Sequence, residues 1–281
     1  MKGIDFANKV VLVTGGGAGI GRSISETFSE LGAKLIVAEL DKDRCQDIEI
    51  NFKNKGVDAL VSNTDVRDAK AVKELLKEVE TRYKKLDVLV NNVGDFLGLT
   101  KPFTMFSDEE IDALYATNLK SMFFVTRSAI PLLKKHGGLG ASIINISSIE
   151  AFRGIPMATV YCSFKHAITG FTKSLAVELA PSKIRVNAIA PETTETAQVS
   201  PSQLVAEEHQ DHEKRWIPLE RFGKPSDAAG CALFLASELS AWVTGTTINL
   251  DGGALAAGGW YRDPNNFWTN VPVITGNGFN F

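Results

Sequence analysis

The sequence predicts an α/β fold built on one doubly wound, mostly parallel sheet with helices on both faces. Three observations carry this. Short apolar runs alternate with amphipathic stretches of helix length along most of the chain. A glycine-rich turn joins the first apolar run to the first such stretch. No internal repeat or low-complexity linker divides the chain. Strands separated by helix-length segments imply parallel βαβ units with right-handed crossovers. One domain over residues 1–281 is therefore expected, with its core at about 9–253.

The elements follow in order. Val10–Val13 reads as a buried strand, and a helix runs from about Ile20 to Leu31. Lys34–Ala38 is a second apolar strand, and Asp41 is placed to cap the next helix. Ala59–Val61 is a third strand, followed by a helix over Asp68–Tyr83 and a strand at Asp87–Val90. Asp108–His136 reads as one long helical region. Ser142–Ile146 is a strand, and the helix after it spans about Val160–Ala180, closed by Pro181. Ile184–Ile189 is a strand, Pro225–Leu239 is helical, and Thr246–Leu250 is the last strand of the pattern. Ligands of such sheets bind at the carboxyl ends of the strands, near the switch in strand order.

Composition narrows the function classes. The chain has 281 residues, 44% hydrophobic and 22% charged, an ordinary globular mix. A net charge of -3 gives no basic field for nucleic acid or an anionic membrane. No apolar run approaches the roughly 18 residues of a membrane span, and no charged start leads into an apolar stretch. Cys45, Cys162 and Cys231 are far apart and odd in number. They fit reduced, buried thiols in a cytoplasmic protein, with no metal site.

After the first strand comes Thr14-Gly15-Gly16-Gly17-Ala18-Gly19-Ile20-Gly21. Glycines there admit positive φ and close approach of the backbone to a pyrophosphate, at a helix N-terminus whose free N–H groups favour an anion. The competing reading is a turn that only packs helix on strand. Glu39 stands at the end of the second strand, 18 residues after Gly21. A carboxylate there accepts from the adenosine ribose hydroxyls and repels a 2′-phosphate, which predicts NAD over NADP. Asp65, after the third strand, is placed to accept from the adenine amino group.

Tyr161 and Lys165 lie four apart, on one helix face. An ammonium beside a phenol favours phenolate and brings the Tyr pKa down towards a useful value for acid/base work. By itself the pair matches a surface Tyr–Lys contact equally well. Ser148 lies 13 residues upstream of Tyr161, just past a strand end, and Ser147 competes with it for the role of holding a substrate oxygen.

Taken together these segments resemble the short-chain dehydrogenase/reductase family from about Lys9 to Gly253. The matching pieces are Thr14–Gly21, Asp65, Asn91-Asn92-Val93-Gly94, Asn118, Ser148, Tyr161, Lys165, Pro191 and Asp251-Gly252-Gly253. The resemblance implies a Rossmann-like fold and hydride transfer between NAD and an alcohol or ketone. It makes Tyr161 the acid/base, Ser148 the group that orients the substrate oxygen, and Lys165 the holder of the nicotinamide ribose. It makes Asn118 the site of a relay water. Gly15, Gly17, Gly19, Ile20, Gly21, Glu39, Asp65, Val66, Asn92, Gly94, Pro191, Thr194 and Thr196 would line the cofactor, with Tyr161 and Lys165. A homotetramer is the implied assembly.

Three departures stand out. Glu192 follows Pro191 where the family has glycine, placing a carboxylate by the site. Phe164 replaces a small residue, and its bulk calls for a pocket, such as a subunit contact. Val93 replaces alanine and should only tighten packing. The resemblance draws pocket walls from the loops after the fourth to sixth strands. Phe96, Leu97, Phe152, Ile155, Met157 and Val160 are their apolar part, which suggests a hydrophobic or cyclic secondary alcohol. Glu150 and Asp95 either bind a second hydroxyl, as in a cis-dihydrodiol or sugar, or are solvated loop acids.

Residues 192–218 form the expected substrate lid, with a helical, mobile segment at Ala197–Trp216. His209 and His212 beside Glu208 read there as a solvated face rather than a metal site. The extension 254–281 reads as irregular but carries Trp260, Tyr261, Phe267, Trp268, Phe279 and Phe281. Such a density of aromatics suggests docking on the protein's own cleft or across a tetramer interface. A non-catalytic dinucleotide sensor is the reading from a different class, since fold alone does not fix function.

Overall fold

The computed structural model describes residues 4–136, 140–200, 212–263 and 265–269. Seven strands form one sheet: β1 Val10–Thr14, β2 Lys34–Glu39, β3 Ala59–Asn63, β4 Val88–Asn91, β5 Ala141–Ile146, β6 Ile184–Pro191 and β7 Thr247–Leu250. Their order is β3-β2-β1-β4-β5-β6-β7, and every pairing is parallel. The strand order reverses between β1 and β4. That places the binding crevice at Thr14-Gly15 and Asn91-Asn92.

The helices are α1 Gly19–Glu30, α2 Lys42–Asn54, α3 Ala69–Tyr83, α4 Asp108–Tyr115, α5 Ser121–Leu133, α6 Thr159–Leu179, α7 Pro225–Ala236 and a short α8 Ala254–Ala257. Every residue of β1 and β5 is buried. This is why those runs are continuously apolar rather than alternating. One face packs Leu12, Ile36, Leu89 and Ile143 with Val79 of α3 and Val125 of α5. The other packs Val11, Val13, Leu35 and Ile144 with Phe28 of α1 and Leu235 of α7. A fully buried side chain of this size contributes about 1.5–3 kcal/mol.

The ends are set locally. Asp41 caps α2 by accepting from the N–H groups of Asp43 and Arg44, as its position in the sequence predicts. Ser107 and Glu110 form a capping box at α4. The turn Ala180–Ser182, with Pro181, ends α6.

Two expectations change. The long helix expected over Asp108–His136 is broken by a π-helical turn at Ala116–Lys120. Its centre is tied outside the helix: the Asn118 amide donates to the Leu114 carbonyl and to the Asp95 carbonyl, 23 residues away in sequence. A π turn inserts a residue and turns Asn118 towards the strand ends. The C-terminal extension is not wholly irregular either. Strands β8 Tyr261–Arg262 and β9 Trp268–Thr269 pair antiparallel, and the Arg262 guanidinium lies 4.0 Å over the Trp268 ring. Trp260, Phe267 and Trp268 remain exposed. Phe279 and Phe281 lie outside the described residues, as do His209 and Glu208. The described part of the expected lid is irregular except for a 3₁₀ turn at His212–Arg215.

Candidate active site

The strand ends are pinned by a buried polar network. Asn91 of β4 donates to Thr126 Oγ1 (2.9 Å) and to Asn145 Oδ1 of β5 (2.9 Å). Asn145 donates in turn to Thr172 of α6 at 3.0 Å. Each amide finds its partner on a different element, so β4, β5, α5 and α6 are fixed relative to one another. Periodicity gives no sign of this network, because the partners are far apart in sequence.

The glycine turn sits at the crevice. Asn92 ties it down by donating to the carbonyls of Thr14 (3.1 Å) and Gly15 (3.2 Å). The Thr14 hydroxyl accepts from the Asn92 N–H at 3.0 Å. Asn92 was expected against the ribose, but its amide is engaged with the turn itself. Helix α1 has no side-chain cap, so its first N–H groups are open to an anion. A side chain at Gly17 would meet the Glu39 carboxylate at 2.9 Å, and one at Gly19 would meet Thr196 at 3.3 Å. The turn thus brings Glu39 and Thr196 to the mouth of α1. Ile20 is partly buried against the core on that side.

Glu39 is buried. It accepts from the N–H groups of Gly17 (3.0 Å), Leu40 (2.9 Å) and Asp41 (3.1 Å). Arg44, unmarked in the sequence reading, stands beside the same Gly17. Asp65 does not present a free carboxylate: both oxygens bond Arg67, which holds it below the usual carboxylate range. Val66 buries its side chain in the core, leaving only its backbone towards a ligand. Pro191 and Thr194 are buried at the end of β6, and the Thr194 hydroxyl donates to the Glu192 carbonyl.

Gly94 is the point where the chemistry-bearing groups meet. A methyl there would stand 2.8 Å from Lys165 Nζ and 3.1 Å from Asn118 Oδ1. So close an approach leaves room for nothing larger than glycine beside the two groups, and the open α1 terminus is the kind of site a cofactor's pyrophosphate needs. The residues present therefore fit a dinucleotide. Lys165 is buried and donates to the Ile146 carbonyl at 3.2 Å. Burial pulls its pKa down to about 8. Its ammonium lies 5.4 Å from the Tyr161 ring centroid.

Tyr161 departs from the expectation of a lowered pKa. Burial pushes it up, and a hydrogen bond from Ser148 opposes that shift only in part. Glu150, Asp95 and Cys162 add to the rise. Ser147 and Ser148 make different contacts. Ser147 is buried and donates to the Lys165 carbonyl, while Ser148 reaches Tyr161. Phe96 stacks on Tyr161. Met157, held at positive φ, accepts from the Lys101 N–H, and Phe152 is exposed at the rim.

Glu150 and Glu192 are not solvated acids. Both are buried, and Arg153 bridges them. Burial works against the Arg153 charge, but the two carboxylates outweigh it and raise its pKa. Burial pushes Glu192 up. The sequence signal for Arg153 was a base three residues after Glu150. Asp95, expected as the other polar wall residue, bonds backbone-to-side-chain with Asn118 and accepts from the Leu97 N–H. Phe164 is partly buried against Tyr115, with ring centroids 5.7 Å apart. Val93 packs against the core, as expected.

Fold and site define a dinucleotide-binding oxidoreductase. Residues 15–254 match the family model described as enoyl-(acyl carrier protein) reductase. The chain belongs to the short-chain dehydrogenase/reductase family. It is 37% identical over 250 residues to a 3-oxoacyl-[acyl-carrier-protein] reductase FabG of Thermotoga maritima, covering 87% of this chain and 97% of the relative. An uncharacterized oxidoreductase of the same organism is 35% identical over 260 residues, covering 90% and 100%. Among solved structures, 7α-hydroxysteroid dehydrogenase complexed with NADH and 7-oxo glycochenodeoxycholic acid superposes with TM-score 0.81 at 30% identity, covering 89% and 95%. Levodione reductase superposes with TM-score 0.82 at 28% identity, covering 90% and 99%. Among the described residues no helix is long and apolar enough to cross a membrane.

Proposed function

We propose that this oxidoreductase is NAD-dependent and acts on a hydrophobic or cyclic secondary alcohol or its ketone, with Tyr161 as acid/base. The observation that carries the reading is one chain of neighbours: Asn118 and Lys165 meet at Gly94, Lys165 lies beside Tyr161, and Ser148 bonds Tyr161. A bound nicotinamide supplies the hydride chemistry. The chain's own residues manage the oxygen and its proton. Ser148 holds the substrate oxygen. Tyr161 takes its proton in oxidation and returns it in reduction. Lys165 holds the ribose side of the cofactor and favours the phenolate of Tyr161. Asn118 positions a water behind Lys165. Phe96, Phe152 and Met157 form the apolar wall, beside Ser148 and Glu150. A single domain assembled as a homotetramer is the form in which it acts.

Glu39 supports NAD, because a buried carboxylate beside Gly17 repels a 2′-phosphate. Gly15, Gly19, Ile20 and Gly21 hold the pyrophosphate, Val66 and Asp65 border the adenine, and Asn92, Pro191, Thr194 and Thr196 frame the nicotinamide half. The steroid dehydrogenase complex named above pairs NADH with a cyclic ketone. A second reading, a 3-oxoacyl-[acyl-carrier-protein] reductase, is favoured by the names of several curated relatives.

The deciding experiment offers cyclic ketones and a 3-oxoacyl thioester with NADH or NADPH and follows the reduced-nicotinamide absorbance. Faster turnover of cyclic ketones with NADH is expected. Preference for the thioester replaces this reading by the second one, and equal use of NADPH removes the Glu39 argument.

A further inference from the structure

We propose that Glu150 reads a second hydroxyl on the substrate, its free carboxylate oxygen accepting that donor while Ser148 and Tyr161 hold the reacting oxygen. The inference rests on the alcohol/ketone reading above and makes the substrate a diol or hydroxyketone.

The geometry begins at the end of β5. The 3₁₀ turn Ile149–Ala151 starts at Ser148, whose Oγ accepts the Glu150 N–H at 3.2 Å. Glu150 is thereby fixed two residues from the group that reaches Tyr161. The residue is 8% exposed in a loop where an acid would ordinarily be solvated. Arg153 explains the burial only in part. Its Nε and Nη2 both donate to Glu150 Oε1, at 3.3 and 2.9 Å. Its Nη2 also donates to Glu192 Oε2 at 2.6 Å, and Glu192 Oε1 takes the Thr193 N–H and hydroxyl at 2.8 and 3.1 Å. Three of the four carboxylate oxygens are therefore satisfied. Glu150 Oε2 is buried without a hydrogen-bond partner.

A buried carboxylate oxygen left unpaired is costly, so a donor belongs there. Two carboxylates against one guanidinium leave the cluster at one net negative charge, which favours a donor and opposes an anion. Glu150 is anchored by its own N–H to Ser148 Oγ at 3.2 Å, and its charge is felt at the Tyr161 phenol, so its free oxygen lies within reach of the groups that hold the reacting oxygen. Arg153 and Glu192 then act as positioning residues: they lock Glu150 in one rotamer by tying the loop after β5 to the end of β6.

The test compares, with NAD and the full-length chain, cyclohexanol against the cis diols of cyclohexane with hydroxyls on adjacent, alternate and opposite carbons. Wild type, Glu150→Gln and Glu150→Ala are each assayed. One diol spacing should exceed cyclohexanol in kcat/KM by at least about tenfold in wild type, the discrimination a hydrogen bond to a charged acceptor gives. Both variants should bring that ratio close to one while still turning over cyclohexanol. The ratio is taken within one preparation, so a variant that folds poorly does not distort it. A wild-type ratio near one, or a ratio unchanged in both variants, overturns this inference alone. A 3-hydroxy carboxylate used in preference to every diol assigns the reading to Arg153 and also overturns it. Turnover of no alcohol at all defeats the parent reading and this one with it.

Discussion

The ring of Phe96 lies on the phenol of Tyr161, with centroids 3.9 Å apart and planes 23° from parallel. This stack covers one face of the proposed acid/base and shields it from water. Burial is the main reason its pKa is raised, with Glu150, Asp95 and Cys162 acting the same way and Ser148 opposing. Phe96→Ala should therefore lower the Tyr161 pKa. Alcohol oxidation needs the deprotonated phenol, so the rise of kcat/KM with pH should move to lower pH in the variant. A pH profile that stays in place, with only KM increased, would mean that Phe96 contacts substrate without controlling the phenol.

Lys165 gives a stability prediction whose sign is fixed by linkage. Its pKa falls from 10.5 to about 8 in the folded chain. Between those values the unfolded chain binds more protons, so stability rises with pH across that window. Below about pH 8 both states are charged and the burial penalty is complete, at most about 3 kcal/mol. Lys165→Met removes the penalty and also the bond to the Ile146 carbonyl, worth about 1 kcal/mol. Without dinucleotide the variant should be more stable than wild type at neutral pH by about 2 kcal/mol. The gap should close as pH approaches 10.5. Urea titrations across the window check both points; a variant less stable at neutral pH refutes the buried-charge account.

Gly94→Ala tests whether the close approach of residue 94 to Lys165 and Asn118 matters. The added methyl meets two side-chain ends, Lys165 Nζ and Asn118 Oδ1, rather than backbone. The fold should survive, while both groups shift by a few tenths of an ångström or more. Misplacement on that scale costs up to about 10²-fold in rate. Thermal melting close to wild type, together with turnover reduced about 10- to 100-fold, is the expected pair of results. Unchanged turnover would show that this close packing is not part of the working site.

How much of this was legible beforehand depends on the range of the interactions. β1, the glycine turn and the α2 cap at Asp41 are local, set by runs of Val and Leu, by glycines, and by one carboxylate next to two N–H groups. Tyr161 and Lys165 share a helix face, so their spacing was readable. The Asn91–Asn145–Thr172 ladder joins residues from three elements and leaves no periodic trace. The π turn at Asn118 arises from a bond to Asp95, 23 residues away in sequence, so the segment looked like uninterrupted helix. The sequence leaves open whether Glu150 is solvated and hides its pairing with Glu192, because Arg153 joins the two only once β5 and β6 lie side by side. The lowered Tyr161 pKa was misjudged for a related reason: spacing shows that Lys165 is near but not that the phenol is desolvated beside Phe96.

Cofactor choice is the remaining prediction, and two residues pull against each other. Glu39 offers its carboxylate beside Gly17, where it disfavours a 2′-phosphate. Arg44 packs its Cβ beside the same glycine, and its exposed guanidinium contacts Asp41 at 3.8 Å. In wild type the carboxylate is the closer and more rigid group, fixed by three backbone N–H donors. Replacing it with glutamine keeps its volume and one acceptor, but removes the repulsion and leaves the Arg44 charge to act alone. Glu39→Gln should therefore raise kcat/KM with NADP relative to NAD by at least about tenfold, the scale of a close charge contact at a partly screened site. The shift should shrink in high salt, because Arg44 is exposed. Adding Arg44→Ala should reverse most of it. If Glu39→Gln weakens both dinucleotides equally and Arg44→Ala changes nothing, Glu39 serves only to hold the glycine turn, and the NAD preference must come from elsewhere in the crevice.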